Sequence, residues 1–396
     1  MKILHINDYY APVGGVETYL LELIDILDSR GFKNAFIYQK EHPRTPPING
    51  KSIYHIPINY SSEQLRRKVS DIVYKETPDI VYLHDVHNPE MINWISQLVP
   101  TIGYIHIFFP VCPGLGKLFR RGDQVCEYPY SIGCIPKIYL RRCASARHPG
   151  SVFRIMRSTK VYLNAYRSLQ KVVVASNYMQ SLLLTNQIPP HKITILPYFI
   201  NIPDQSQLDK YQPDPNKPSI FFAGRLEYEK GLNYLIDVIV KMRNTAHLYI
   251  AGDGSLKSNY VQLAQELNVA DRVHFLGWLS DGELAEYYQR CAVTVMPTLM
   301  PEPFGKVGVE AMANRRPAVA FDVGGIPDWL KDGYNGFIVP PRDVEKLASK
   351  IDHILENPNL AAHLGANGRQ YVEDNYSVSK HVEGLELILT NAIGSK

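Results

Sequence analysis

Two successive doubly wound α/β domains, facing each other across a cleft, are the fold class this sequence predicts. Three observations lead there. Short apolar runs rich in Val and Ile alternate with helical patterns almost throughout, as in parallel sheets buried on both faces. The rhythm breaks once, at 201–218, where Pro, Asp, Asn and Gln crowd together without periodicity, and then it restarts. A length of 396 residues is enough for two domains with sizeable cores.

The first half opens on an apolar strand at 2–7. A turn ending in Gly14 and Gly15 follows, then an amphipathic helix at 16–30 with Val16, Tyr19, Leu20, Leu23, Ile24 and Leu27 on one face. Further strands are expected at 34–38, 52–57, 80–83, 101–105, 171–175 and 192–196, with helical stretches between most of them. Residues 1–200 thus form the first domain, with an insertion at 110–150, and 201–218 is a linker. The second domain, 219–376, runs as strand 219–223, helix 231–242, strand 248–251, helix 257–267 and strand 273–276. Ser280 and Glu283 have the spacing of a capping box for the next helix. A strand at 292–296, a helix from Lys306, a strand at 318–321 and further helices follow. The terminal helix, 377–396, is expected to pack back on the first domain.

The 42 basic and 39 acidic residues leave a net charge of +3, too small to imply a nucleic-acid binder. Its distribution is uneven. From Cys112 to Lys171 twelve Lys and Arg face only Asp123 and Glu127, with Phe119, Tyr128, Tyr130, Tyr139, Phe153, Tyr162 and Tyr166 interleaved. Such a stretch suits an anionic membrane surface or a phosphate-bearing acceptor; the plain alternative is a solvated face over ordinary core aromatics. No apolar run is long enough to span a bilayer, and the first residues read as a strand, so a cytoplasmic protein, peripheral to the inner face of the plasma membrane, is expected. Of five cysteines, Cys112, Cys126, Cys134 and Cys143 share one loop-rich region. They could hold a structural zinc ion, although the gaps contain no Cys-x-x-Cys; free thiols or a facultative disulfide are the other readings.

The chemistry-bearing residues follow strands. After 219–223 come Gly224-Arg225-Leu226-Glu227-Tyr228-Glu229-Lys230-Gly231, where Arg225 can grip phosphate oxygens bidentately and Lys230 adds a point charge. Such cations would neutralise a departing diphosphate; alone they also read as a solvated basic turn. After 292–297 come Glu302-Pro303-Phe304-Gly305-Lys306-Val307-Gly308-Val309-Glu310. There the N–H groups of Phe304, Gly305 and Lys306 would be unpaired donors at a helix start, flanked by two carboxylates suited to hydroxyls. A helix with surface acids is the alternative. Gly14 and Gly15 let backbone approach an anion closely, or make an ordinary turn.

The 224–231 stretch, Ala-Gly-Asp-Gly at 251–254 and the 302–310 block resemble, in the same order and spacing, the retaining family-4 glycosyltransferases (glycosyl transferases group 1). Phe321-Asp322-Val323-Gly324-Gly325-Ile326-Pro327-Asp328 is similar to the turn that follows that family's second glutamate. The likeness spans nearly the whole chain and is strongest from Ser219 to Pro340. It implies the GT-B fold of two Rossmann-like domains and transfer of a sugar, with retention and without a required metal cofactor, from a nucleotide-diphosphate sugar donor. It places Arg225 and Lys230 on the diphosphate, Glu310 on the ribose, Glu302 with the backbone of Phe304 and Gly305 at the transferred sugar, and Lys306 among the donor-binding residues. Gly252, Asp253 and Gly254 would line the base and ribose side, Gly14 and Gly15 the phosphates, and His106 the acceptor side. The family often has an aspartate after that histidine; here Ile107, Phe108 and Phe109 follow, which suggests an apolar acceptor surface. A glycan or lipid-linked acceptor in cell-surface polysaccharide synthesis is expected. Other GT-B activities, such as a sugar-nucleotide epimerase or a phosphorylase, and a silent GT-B scaffold are the rivals. A dinucleotide oxidoreductase lacks its glycine fingerprint here.

Overall fold

The computed structural model describes residues 1–47, 52–208 and 210–394. Along them run strands β1 (Lys2–Tyr9), β2 (Lys33–Lys40), β3 (Ser52–His55), β4 (Ile80–Leu83), β5 (Thr101–Tyr104), β6 (Leu118–Phe119), β7 (Gln124–Val125), β8 (Lys171–Val174), β9 (Ile193–Ile195), β10 (Ser219–Ala223), β11 (His247–Ala251), β12 (Val273–Gly277), β13 (Val293–Met296), β14 (Ala318–Phe321) and β15 (Gly336–Val339). The chain divides into two compact units. One comprises Met1–Gly116, Glu127–Pro197 and Val382–Lys396; the other comprises Lys117–Cys126 and Tyr198–His381.

The first unit is built on a parallel sheet ordered β3-β2-β1-β4-β5-β8-β9. Its central strands are apolar because both faces are covered. Ile80, Val81, Tyr82 and Leu83 are all fully buried, and each such side chain contributes about 1.5–3 kcal/mol relative to exposure. The helix Gly15–Ser29 buries Tyr19, Leu20, Leu23, Ile24 and Leu27, the stripe its sequence spacing requires. Strand order changes direction between β1 and β4, so the loops that follow these strands flank the sheet's switch point.

The second unit repeats the plan with a parallel sheet ordered β12-β11-β10-β13-β14-β15, switching between β10 and β13. The helix Asp281–Arg290 starts at the capping box, with the Ser280 N–H donating to Glu283 Oε2 at 2.8 Å. The segment 201–218, read above as a bare linker, contains the short helix Gln205–Leu208, held by the burial of Leu208.

The insertion at 110–150 does not belong wholly to the first unit. Residues Lys117–Cys126 form the β6-β7 hairpin and pack with the second unit. The reason is visible in their contacts. Leu118 enters the second unit's core, Asp123 accepts hydrogen bonds from the Tyr228 and Tyr234 hydroxyls, and Gly122 O accepts from Arg342 Nη1 at 2.9 Å.

Two further expectations change. Phe108 and Phe109 are core residues, 1% and 4% exposed, so they form no apolar acceptor surface. Phe109 packs on Tyr162, Tyr166 and His87 instead. Among the described residues no group of three or more His, Cys, Asp or Glu is placed to hold a metal ion, so Cys112, Cys126, Cys134 and Cys143 are not gathered as a ligand set. Cys126 lies in the hairpin segment that joins the second unit, while the other three belong to the first. No helix among the described residues is long and apolar enough to cross a membrane.

Candidate functional site

In the second unit the loops after β10 and β13 meet backbone to backbone at the switch point. Glu229 O accepts from Leu299 N at 2.9 Å and from Thr298 Oγ1 at 3.1 Å. Gly231, at φ +67°, allows this approach, because a Cβ there would lie 2.0 Å from Pro297 O. The contact brings the two sequence motifs together: Lys230 Nζ lies 2.5 Å from Glu302 Oε1. Their side chains are 21% and 10% exposed, so the pair is largely withdrawn from water yet open on one side. Arg225 remains mostly exposed, with Nη2 3.4 Å from Glu229 Oε1, and can turn to a ligand at little cost.

The loop after β14 fixes the Glu302 backbone. Gly325 N donates to Glu302 O at 2.7 Å, and a Cβ on Gly324 would meet Glu302 N and O at 2.4 Å. The helix Lys306–Ala313 then opens at Gly305, and its first turn is held against a buried indole, whose Nε1 donates to Phe304 O at 2.6 Å. That indole is Trp329, and it explains Gly308: a Cβ there would fall 2.1 Å from the ring. Glu310 stands on the same helix. Its Oε2 accepts from the Tyr288 hydroxyl at 2.8 Å and its Oε1 lies 3.4 Å from Lys306 Nζ. Helix-start N–H groups, two carboxylates and two cations therefore converge around one turn, an arrangement suited to a ligand with both phosphate and hydroxyl groups.

Gly252, Asp253 and Gly254 stack against the same Arg225 loop. Leu226 N donates to Asp253 O at 2.9 Å, and a Cβ on Gly252 would lie 2.0 Å from Gly224 O. Ser255 Oγ and N hold the Glu227 carboxylate at 2.7 and 2.9 Å. Sequence reading missed Tyr288, the partner of Glu310; only its place on the helix before β13 brings the two together.

The first unit's switch point carries a separate constellation, and most of it was not anticipated. Asp8, at the end of β1, accepts from Lys40 Nζ at 2.5 Å and pairs with His87 Nδ1 at 2.7 Å. Burial pushes the Asp8 carboxyl up, but hydrogen bonds from His87 and Lys40 outweigh it and hold it below its ordinary value. His87 is raised in turn, chiefly by its bond to Asp8. Asp85 is buried, with Oδ1 lacking a hydrogen-bond partner among the described residues, and burial followed by the Glu17 charge pushes it up to about 7. The signal was available in His84-Asp85-Val86-His87 after an apolar strand, but only the strand order shows that this loop flanks the switch.

His106 is 2% exposed, stacked on Tyr104 at 4.2 Å, with Nε2 3.2 Å from His84 Nδ1. Burial lowers it to about 3, so its imidazole is neutral at physiological pH. Gly14 caps the helix Gly15–Ser29 in extended backbone that any residue adopts, and the space above Gly15 is open.

Known proteins resemble this chain along most of its length. The model of the family described as Glycosyltransferase Family 4 matches residues 13–202, and that of Glycosyl transferases group 1 matches 204–371. An uncharacterised glycosyltransferase of Methanocaldococcus jannaschii is 25% identical over 402 residues, covering 95% of each chain. The lipopolysaccharide core biosynthesis glycosyltransferase LpsE of Rhizobium meliloti is 24% identical over 387 residues, again 95% of each. Among solved structures, Alr3699/HepE of Anabaena in complex with UDP superposes with a TM-score of 0.73 at 18% identity, covering 98% of this chain and 100% of that one. Two doubly wound units, and family models that match residues 13–202 and 204–371, place this chain in the family-4, group 1 glycosyltransferases of GT-B fold.

Proposed function

We propose that this glycosyltransferase moves a sugar from a nucleotide-diphosphate donor to a hydroxyl of a glycan or lipid-linked acceptor in cell-surface polysaccharide synthesis, with retention at the anomeric carbon. The observation that carries the reading is the Lys230–Glu302 pair beside the helix that opens at Gly305 and carries Glu310, with Arg225 on the same loop as Lys230. Donor diphosphate would draw Lys230 from Glu302 and engage Arg225. Glu302 is then released to accept hydrogen bonds from the sugar hydroxyls, while Glu310, oriented by Tyr288, accepts from the ribose. As the anomeric C–O bond breaks, negative charge grows on the diphosphate, where two cations and helix N–H groups oppose it without a metal ion. The departing phosphate oxygen takes the acceptor hydroxyl's proton while the new C–O bond forms on the same face. His106, neutral, would serve as a hydrogen-bonding group and not as an ionised base.

A UDP-sugar is the first donor to try, since HepE binds UDP. Thermal-shift measurements with UDP, GDP, ADP and NAD, with Glu310→Ala as control, test the donor site. One diphosphate should raise the melting point, and the variant should lose most of that rise. A response to NAD alone, or to none of the four, would overturn the reading. The anomeric configuration of the product, followed by NMR, tests retention.

A further inference from the structure

The helix Pro149–Ser168 contains no acidic residue, and one of its stripes faces solvent. Arg154, Arg157 and Lys160 are exposed there and make no ion pair among the described residues. Phe153, on the same stripe, is 69% exposed, and Ile132, on the neighbouring loop, is 82% exposed. Between helix and loop lies a cavity of about 740 Å³ lined by Ile132, Ile135, Phe153 and Met156 below Arg157 and Lys160, with no carboxylate anywhere in its lining. Tyr128 and Leu140 add exposed apolar surface on the same segment of chain.

We propose that this face of the first unit docks on anionic phospholipid bilayers. Cations unpaired by acids and set within two turns of large exposed apolar side chains match the two layers of a membrane interface: phosphates outside, acyl chains beneath. A protein partner fits less well, because the cores of protein interfaces are depleted in Lys and would leave Lys160 desolvated. Phe153 and Ile132 enter the headgroup boundary while Arg154, Arg157 and Lys160 meet the lipid phosphates, and the cavity gives room for an acyl chain. The proposal deepens the functional reading by naming where a lipid-linked acceptor would be met. It is read without sugar or nucleotide, so either can fail while the other stands.

The test is co-sedimentation of the full chain with phosphatidylcholine vesicles, with and without an equal part of phosphatidylglycerol. Binding is expected only with the anionic lipid. The triple variant Arg154→Gln, Arg157→Gln, Lys160→Gln should lower the partition coefficient about a hundredfold, from roughly fivefold per cation. Phe153→Ser with Ile132→Ser should weaken binding and leave the remainder fully sensitive to salt, because only the screened component survives. All five side chains point outward, and unchanged circular dichroism and melting would confirm intact folding. Equal binding to both vesicle types, or a triple variant that partitions like the parent, would overturn the proposal. So would calorimetric binding of inorganic pyrophosphate, lost in the triple variant, together with no binding to either vesicle type, which would assign the cations to a soluble phosphate.

Discussion

Replacing Lys230 by Ala separates two jobs of one side chain. Without donor, its ammonium is the counter-ion of Glu302 at 2.5 Å, in a site where the carboxylate is only 10% exposed. Removing one member of a fully buried pair costs about 3–5 kcal/mol. The open side of this one lets water in, so about 2 kcal/mol is the expected loss. That corresponds to a fall of roughly 4–8 °C in the melting of a domain of this size. The catalytic loss has another origin, the missing charge opposite the leaving diphosphate, and should reach about 100- to 1000-fold in kcat/KM for donor turnover. The two effects can be pulled apart with Lys230→Ala/Glu302→Gln, which removes the orphaned charge along with its partner. Melting should then recover most of its loss while kcat/KM stays low. The assay is a double-mutant cycle read by urea denaturation and by nucleotide diphosphate release. An unchanged kcat/KM in the single variant would remove Lys230 from the mechanism, and recovery of activity together with stability would show its role to be structural only.

Further outcomes follow from the same geometry. Gly324→Ala, at φ +63° with Glu302 backbone 2.4 Å from the new Cβ, should cost about 2–4 kcal/mol and weaken diphosphate binding. Gly333→Ala, at φ +74° with open space around it, should cost only about 1 kcal/mol; equal losses in urea titrations would refute the clash as the cause. Stability should respond to pH through Asp85, whose folded value near 7 lies above the ordinary carboxyl value. The folded chain then holds a proton that the unfolded chain has released, so this stabilisation is full below about 3.9 and is lost as pH rises toward 7. Asp85→Asn should therefore be more stable than the parent at pH 8, by about 2–4 kcal/mol, with the gap narrowing toward pH 4. Buried His5 and His106, lowered to about 4 and about 3, act in the other sense: their contribution is full above 6.5 and is lost as pH falls through that window. Urea midpoints for parent and variant across pH 4–8 would check both signs.

Much of this protein is written locally. Apolar runs at 80–83 or 219–223 become strands, and the stripe from Tyr19 to Leu27 becomes a buried helix face, because burial of neighbouring side chains decides both. The capping box at Ser280 and Glu283 is likewise set within four residues. The motifs around Arg225, Lys230, Glu302 and Glu310 were legible for the same reason, since each sits in a turn after its own strand. Strand order was not legible, because it depends on which helices cover which face. It alone brings Lys230 to Glu302 and makes the His84–His87 loop, with Asp8, a second cluster. Burial of Phe108 and Phe109 also lay beyond the sequence, because an apolar pair after a strand reads the same whether it faces a ligand or a core. The hairpin Lys117–Cys126 is the clearest case. Its residues lie amid first-unit sequence, yet Leu118 and Asp123 find their partners in a core and two tyrosines more than a hundred residues away. Sequence determines what each segment can bury and bond; only the folded chain decides which distant segment supplies the other half of the contact.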